Sequence, residues 1–218
     1  MKSNNISSYR FVFFILIAGL FSVIFFSILA YASNGIADKP VIKDPQRDTF
    51  FSFEMELERL NNLIARDKSN ADYFYNRGWI FEKMNDTVKA EEDYSAAIKI
   101  DKGHVDALYN RGLIYLKSNR YTLAVRDFSG VIKLKPDSAD AFCNRGNAYL
   151  AEGKSENALK DFTSAIRIAP QDPDPYYNRA ITYLSQGKKR KALEDMREAA
   201  RLGNSMAKEY LDRSGNRL

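Results

Sequence analysis

One tetrapeptide recurs in this chain at a fixed interval. Tyr-Asn-Arg-Gly stands at Tyr75–Gly78 and at Tyr109–Gly112. It returns as Cys143–Gly146, and again, ending in alanine, as Tyr177–Ala180. The interval is 34 residues. A period of that size means one supersecondary unit copied along the chain, each copy unable to bury its apolar face without the next. It moves the question of function from catalysis to surfaces.

The other columns of the repeat say what the unit is. Each copy has an aromatic or leucine (Phe74, Leu108, Phe142, Tyr176), then a small residue (Gly78, Gly112, Gly146, Ala180), then an aromatic (Phe81, Tyr115, Tyr149, Tyr183). Turn residues follow at Asn85-Asp86, Asn119-Arg120, Gly153-Lys154 and Gly187-Lys188. The second half carries Ala90, Ala124, Ala158 and Ala192, then Tyr94, Phe128, Phe162 and Met196. Two amphipathic helices joined by a short turn fit this pattern. The units are 71–104, 105–138, 139–172 and 173–206.

The chain resembles the tetratricopeptide-repeat family over Ala71–Met206. The resemblance implies an all-α, right-handed superhelical solenoid of helix-turn-helix repeats, with a concave groove that holds a peptide segment or helix of a partner protein. Ala180 in place of Gly, Met196 in place of an aromatic, and Lys102 and Asn204 in place of Pro suggest a looser last repeat. Outside the array, residues 51–70 hold Phe53, Leu57, Leu60, Leu63 and Ile64 at helical spacing, a helix that covers the first repeat. Residues 207–218 form a solvating C-terminal helix and tail. Residues 33–50, with Pro40, Pro45 and Gly35, read as a flexible linker.

The N-terminus has another character. Phe11 to Ala32 is almost wholly apolar, preceded by Lys2 and Arg10 and ending in Ala30-Tyr31-Ala32. As a helix it would span about 33 Å, roughly a bilayer core. Residues 1–32 therefore read either as a signal peptide cleaved after Ala32 or as a retained transmembrane anchor. Either way the repeats are expected outside the cytoplasm, at a membrane or in a periplasm-like space. Without Lys2 and Arg10, 31 basic residues face 28 acidic ones, too weak a bias to argue for nucleic acid.

Among the columns, Arg77, Arg111, Arg145 and Arg179 recur with Asp93, Asp127, Asp161 and Asp195, a ladder of ion pairs fastening helices. Asn76, Asn110, Asn144 and Asn178 are candidates for binding. A helix-internal Asn is poor on propensity, and its amide offers the donor and acceptor an extended peptide backbone needs. The column resembles the asparagine ladder of the O-linked N-acetylglucosamine transferase repeats, which implies the concave face; local bonding within the repeat is the alternative. Tyr75, Tyr109 and Tyr177, with Trp79, Leu113, Asn147 and Ile181, give a partly apolar floor. Asp72, Asp106, Asp140 and Asp174 stand at helix starts, where capping is the default reading. If they face the groove, they favour basic side chains in a ligand. Chaperone-binding family members grip a carboxylate with cations where this chain has Asp72, Tyr75, Asp140 and Asn144, so that role is disfavoured.

Nothing points to catalysis. His104 falls in an inter-repeat loop and reads as a surface residue; Cys143 replaces a Tyr and reads as a packed or groove-lining thiol. No metal site, cofactor or small-molecule substrate is expected. The sequence thus predicts a non-catalytic protein-interaction module. The rivals are a scaffold assembling through the convex face or the ends, and an accessory subunit of a separate enzyme.

Overall fold

The computed structural model describes residues 45–215. The apolar segment Phe11–Ala32, most of the linker and the last three residues lie outside the described residues. Among those described, every regular element is an α-helix, and no helix is long and apolar enough to cross a membrane.

Helix α1 (Pro45–Arg66) leads into four helix pairs. These are α2 (Ala71–Lys83) with α3 (Thr87–Ile100), and α4 (Val105–Lys117) with α5 (Tyr121–Leu134). The third and fourth are α6 (Ala139–Ala151) with α7 (Ser155–Ile168), and α8 (Pro173–Ser185) with α9 (Lys189–Arg201). Helix α10 (Ser205–Arg213) closes the array. Helix α1 begins within the stretch read as linker; a proline is tolerated in a first helical turn, where its missing N–H has no partner to lose.

Each turn inside a repeat passes through one left-handed residue, at Asn85, Asn119, Gly153 or Gly187 (φ 60° to 76°). Asn and Gly adopt that conformation at little cost, so the same reversal recurs in every copy. From α2 onward each helix packs on the next, and first helices of adjacent repeats also touch, α4 on α6 and α6 on α8. That places the first helices on the inner side of the curve.

The core is a row of side chains from the second helices, Tyr94, Phe128, Phe162 and Met196, each fully buried. The small-residue column exists for these rings. A Cβ at Gly78 would meet Tyr94 Cδ1 at 3.0 Å, one at Gly112 would meet Phe128 Cε1 at 2.9 Å, and one at Gly146 would meet Phe162 Cε1 at 2.6 Å. In the fourth repeat both partners change together: Ala180 and the flexible Met196 share one buried cluster. The looser last repeat expected from these departures is therefore not what the packing shows; the two substitutions compensate.

The Arg–Asp ladder forms in all four repeats. Arg77, Arg111, Arg145 and Arg179 each place Nε and Nη2 on the two carboxylate oxygens of Asp93, Asp127, Asp161 and Asp195, at 2.7–2.8 Å. Each guanidinium uses a third donor as well. Nη1 of Arg111, Arg145 and Arg179 donates to the hydroxyl of Ser95, Ser129 and Thr163 at 3.0 Å, on the second helix of the preceding repeat. Arg77 Nη1 donates to Asn61 Oδ1 at 2.7 Å. Asn61 thus takes the place of the hydroxyl, 34 residues before Ser95, and Leu60, fully buried, stands 34 before Tyr94. The end of α1 is a second helix in repeat register.

Candidate functional site

The inner face is built from the first helices, and three of its columns lie side by side. The Asn column bonds backwards along the array. Asn144 Nδ2 donates to Tyr109 Oη at 3.0 Å, and Asn178 Nδ2 to Cys143 Sγ at 3.6 Å, each 35 residues earlier. Asn110 Nδ2 donates to Tyr94 Oη at 3.4 Å. So the local bonding weighed as an alternative exists, but it runs between repeats rather than within one. It uses the donor side of the amides. Among the described residues no hydrogen bond engages Oδ1 of Asn110, Asn144 or Asn178, and Asn76 is exposed. An amide held by one N–H keeps a fixed orientation, with an acceptor and a second donor to offer.

The Tyr column lies half-buried beneath. Tyr75 packs on His104 and Tyr94, with ring centroids 4.8 and 5.7 Å apart; Tyr109 meets Phe128 edge-on at 5.7 Å. Tyr177 packs into the fourth-repeat cluster beside Tyr210 of α10. Burial raises the phenols of Tyr75 and Tyr109, and the charges of Asp106 and Asp140 raise them further. Asp106 and Asp140 thus act electrostatically on the tyrosine of the preceding repeat.

The structure corrects the capping role given to Asp72, Asp106, Asp140 and Asp174. The caps fall two residues earlier. Asn70 Oδ1 accepts from Asp72 N–H at 2.9 Å, and Asp172 Oδ1 from Asp174 N–H at 3.0 Å. His104 Nδ1 accepts from Ala107 N–H at 3.2 Å, and Ser138 Oγ from Ala141 N–H at 3.4 Å. The four acids stay in the first turn with exposed side chains. His104 is corrected with them. It is a helix cap whose side chain is only 9% exposed, with Nε2 3.3 Å from Asp72 Oδ1.

The apolar floor is less open than its sequence implies. Trp79 is 41% exposed, but Phe53 of α1 meets it edge-on at 6.3 Å and Lys83 Nζ lies 5.2 Å over its ring. Leu113 is drawn into the cluster around Phe128, while Asn147 and Ile181 are half-buried. Cys143 is buried, and desolvation, aided by Asp172, Asp174 and Asp140, pushes its thiol up to about 12. It is a protonated packing group at neutral pH, not a nucleophile. Among the described residues, no group of His, Cys, Asp or Glu could hold a metal ion.

Four helix pairs of one length, a small residue facing each buried ring and polar columns along the inner helices define a helical-repeat solenoid. Family models for the TPR repeat match residues 112–153 and 146–187, and models for the tetratricopeptide repeat match 71–104 and 173–202. The chain belongs to the tetratricopeptide-repeat family. Solved structures share the fold. YrrB, a TPR protein with an unusual peptide-binding site, superposes with a TM-score of 0.69 at 21% identity, over 76% of this chain and 86% of its own. MamA 41-end from Desulfovibrio magneticus RS-1 gives 0.66 at 22% identity, over 73% and 91%. Another crystal structure of MamA gives 0.68 at 19%, over 75% and 95%. No curated protein matches the chain.

Proposed function

We propose that this chain is a non-catalytic protein-interaction module whose inner face holds an extended segment or helix of a partner protein. The observation that carries the reading is the strip of asparagines on the first helices. Each of Asn110, Asn144 and Asn178 is anchored through Nδ2 to the preceding repeat, with its acceptor oxygen unused among the described residues. A row of oriented amides, one per repeat, matches the regular donors and acceptors of an extended backbone. The peptide-binding site of YrrB is support by likeness of fold only. With the apolar segment Phe11–Ala32 as anchor or signal, the module works at or outside the membrane.

Photo-crosslinking tests the reading. A photoreactive residue at Ile181, on the inner face, should capture a defined partner that one at Val88 does not. Asn110→Ala with Asn144→Ala should abolish that capture while leaving helicity intact. Capture from Val88 alone, indifferent to the Asn variants, would favour the scaffold reading. One observation speaks for that rival: a pocket of about 500 Å³ at the turn edge of the first two repeats, lined by Val88, Ile114 and Arg120 among others. Val88 itself is 67% exposed.

A further inference from the structure

The inner strip is acidic, and helix electrostatics do not explain why. The dipole favours an anion in the first turn of any helix. Yet the four first helices all carry Asp there, at one position, while of the four second helices only α7 has a first-turn acid, Glu156. The acids follow the inner face, not the helix start. Their side chains are exposed, and among the described residues only Asp174 is engaged by a neighbouring side chain's hydrogen bond, accepting from Asn204 Nδ2 at 3.2 Å. Asp72 is 77% exposed in its side chain, and among the described residues no cation pairs with Asp106 or Asp140.

A second feature points into the column. The His104 ring is nine-tenths buried and its Nδ1 accepts the Ala107 N–H, so in the neutral ring the proton sits on Nε2. Nε2 makes no aligned hydrogen bond and faces Asp72 Oδ1 at 3.3 Å. A buried donor left this way is uncommon; it marks the first acid of the column as a place where the polar network is unfinished.

Spacing then sets the ligand. Packed helices stand about 8–10 Å apart, and a chain in the extended polyproline-II form advances about 3.1 Å per residue with three residues per turn, which returns every third side chain to one face. Three residues of ligand therefore cover one repeat. The geometry points to an extended cationic peptide, with Lys or Arg at every third position on Asp72, Asp106, Asp140 and Asp174 and its backbone along the Asn amides. This rests on the groove reading and names the chemical class that groove takes.

Fluorescence anisotropy with the full chain tests it, using a labelled peptide of Lys-Ala-Ser repeated four times. The expected results are binding that weakens with added salt, no binding of the Glu-Ala-Ser counterpart, and weaker binding of a peptide of equal composition with its lysines clustered. Asp106→Asn, Asp140→Asn and Asp174→Asn combined should weaken binding at least about tenfold. The thermal transition should stay in place, because these side chains are exposed. Equal binding of the Glu or clustered peptide, or indifference to the Asp variant, overturns the cationic register. If Asn110→Ala with Asn144→Ala still abolishes binding in that case, the groove survives and only its ligand class falls. If neither variant matters, both readings fall.

Discussion

Asn76 and Arg77 are neighbours in the chain, as are their counterparts in every repeat, yet the two columns they begin are finished differently. Each arginine spends three donors, two on a buried carboxylate and one on a polar side chain of the preceding repeat or of α1. Asn110, Asn144 and Asn178 bond through the donor nitrogen alone. Both columns recur without exception, so period alone cannot separate fastening from recognition. On the proposed reading the saturation of hydrogen bonding does: a structural column closes its bonds inside the fold, and a binding column keeps capacity in reserve.

The largest effect should come from breaking the saturated column. Asp127 is 1% exposed and Arg111 8%. Arg111→Ala should cost about 3–5 kcal/mol, because it leaves a buried carboxylate unpaired. Urea denaturation of Arg111→Ala, Asp127→Ala and the double variant should show strong coupling; strict additivity would deny the pair. Gly146→Ala comes next, at about 1–3 kcal/mol from the 2.6 Å approach to Phe162. Adding Phe162→Met should recover part of that loss, since Ala180 and Met196 already pack together in the fourth repeat.

How far the sequence led follows from the same contrast. The helices, the turns and the Arg–Asp pairs were legible because the physics demanding them acts at one spacing in every copy. The Asn–Tyr bonds were not. Asn144 and Tyr109 are 35 apart, one off the period, and Asn110 and Tyr94 are 16 apart; neither bond appears until the repeats stack. The caps were misread because an acid in a first turn and a cap two residues before it look alike in one sequence; His104, hidden under Tyr75 and Asp72, was misread with them. The register of α1 had a signal that was overlooked. Asn61 stands 16 residues before Arg77, as Ser95, Ser129 and Thr163 stand before the later arginines.

Smaller effects sharpen the comparison. Asn144→Ala should cost only about 0.5–1.5 kcal/mol, the loss of one part-buried neutral bond to Tyr109. Alkaline pH probes the tyrosines of the strip and of the core beneath it. Burial raises Tyr75, Tyr94, Tyr109 and Tyr115 above the usual phenol value. The unfolded chain ionises first, so their contribution should be complete below about pH 10 and be lost as pH rises beyond it. A melting temperature level between neutral pH and that point, then falling, would show this. Asp140→Asn should be least costly of all, within about 0.5 kcal/mol.

The direct test of the account is one variant read two ways. Asn110→Ala with Asn144→Ala should stay folded and lose no more than about 1–3 kcal/mol, less than Arg111→Ala alone, while partner capture from Ile181 disappears. A double variant as unstable as Arg111→Ala that still captures the same partner would make the asparagines structural and move the binding surface elsewhere.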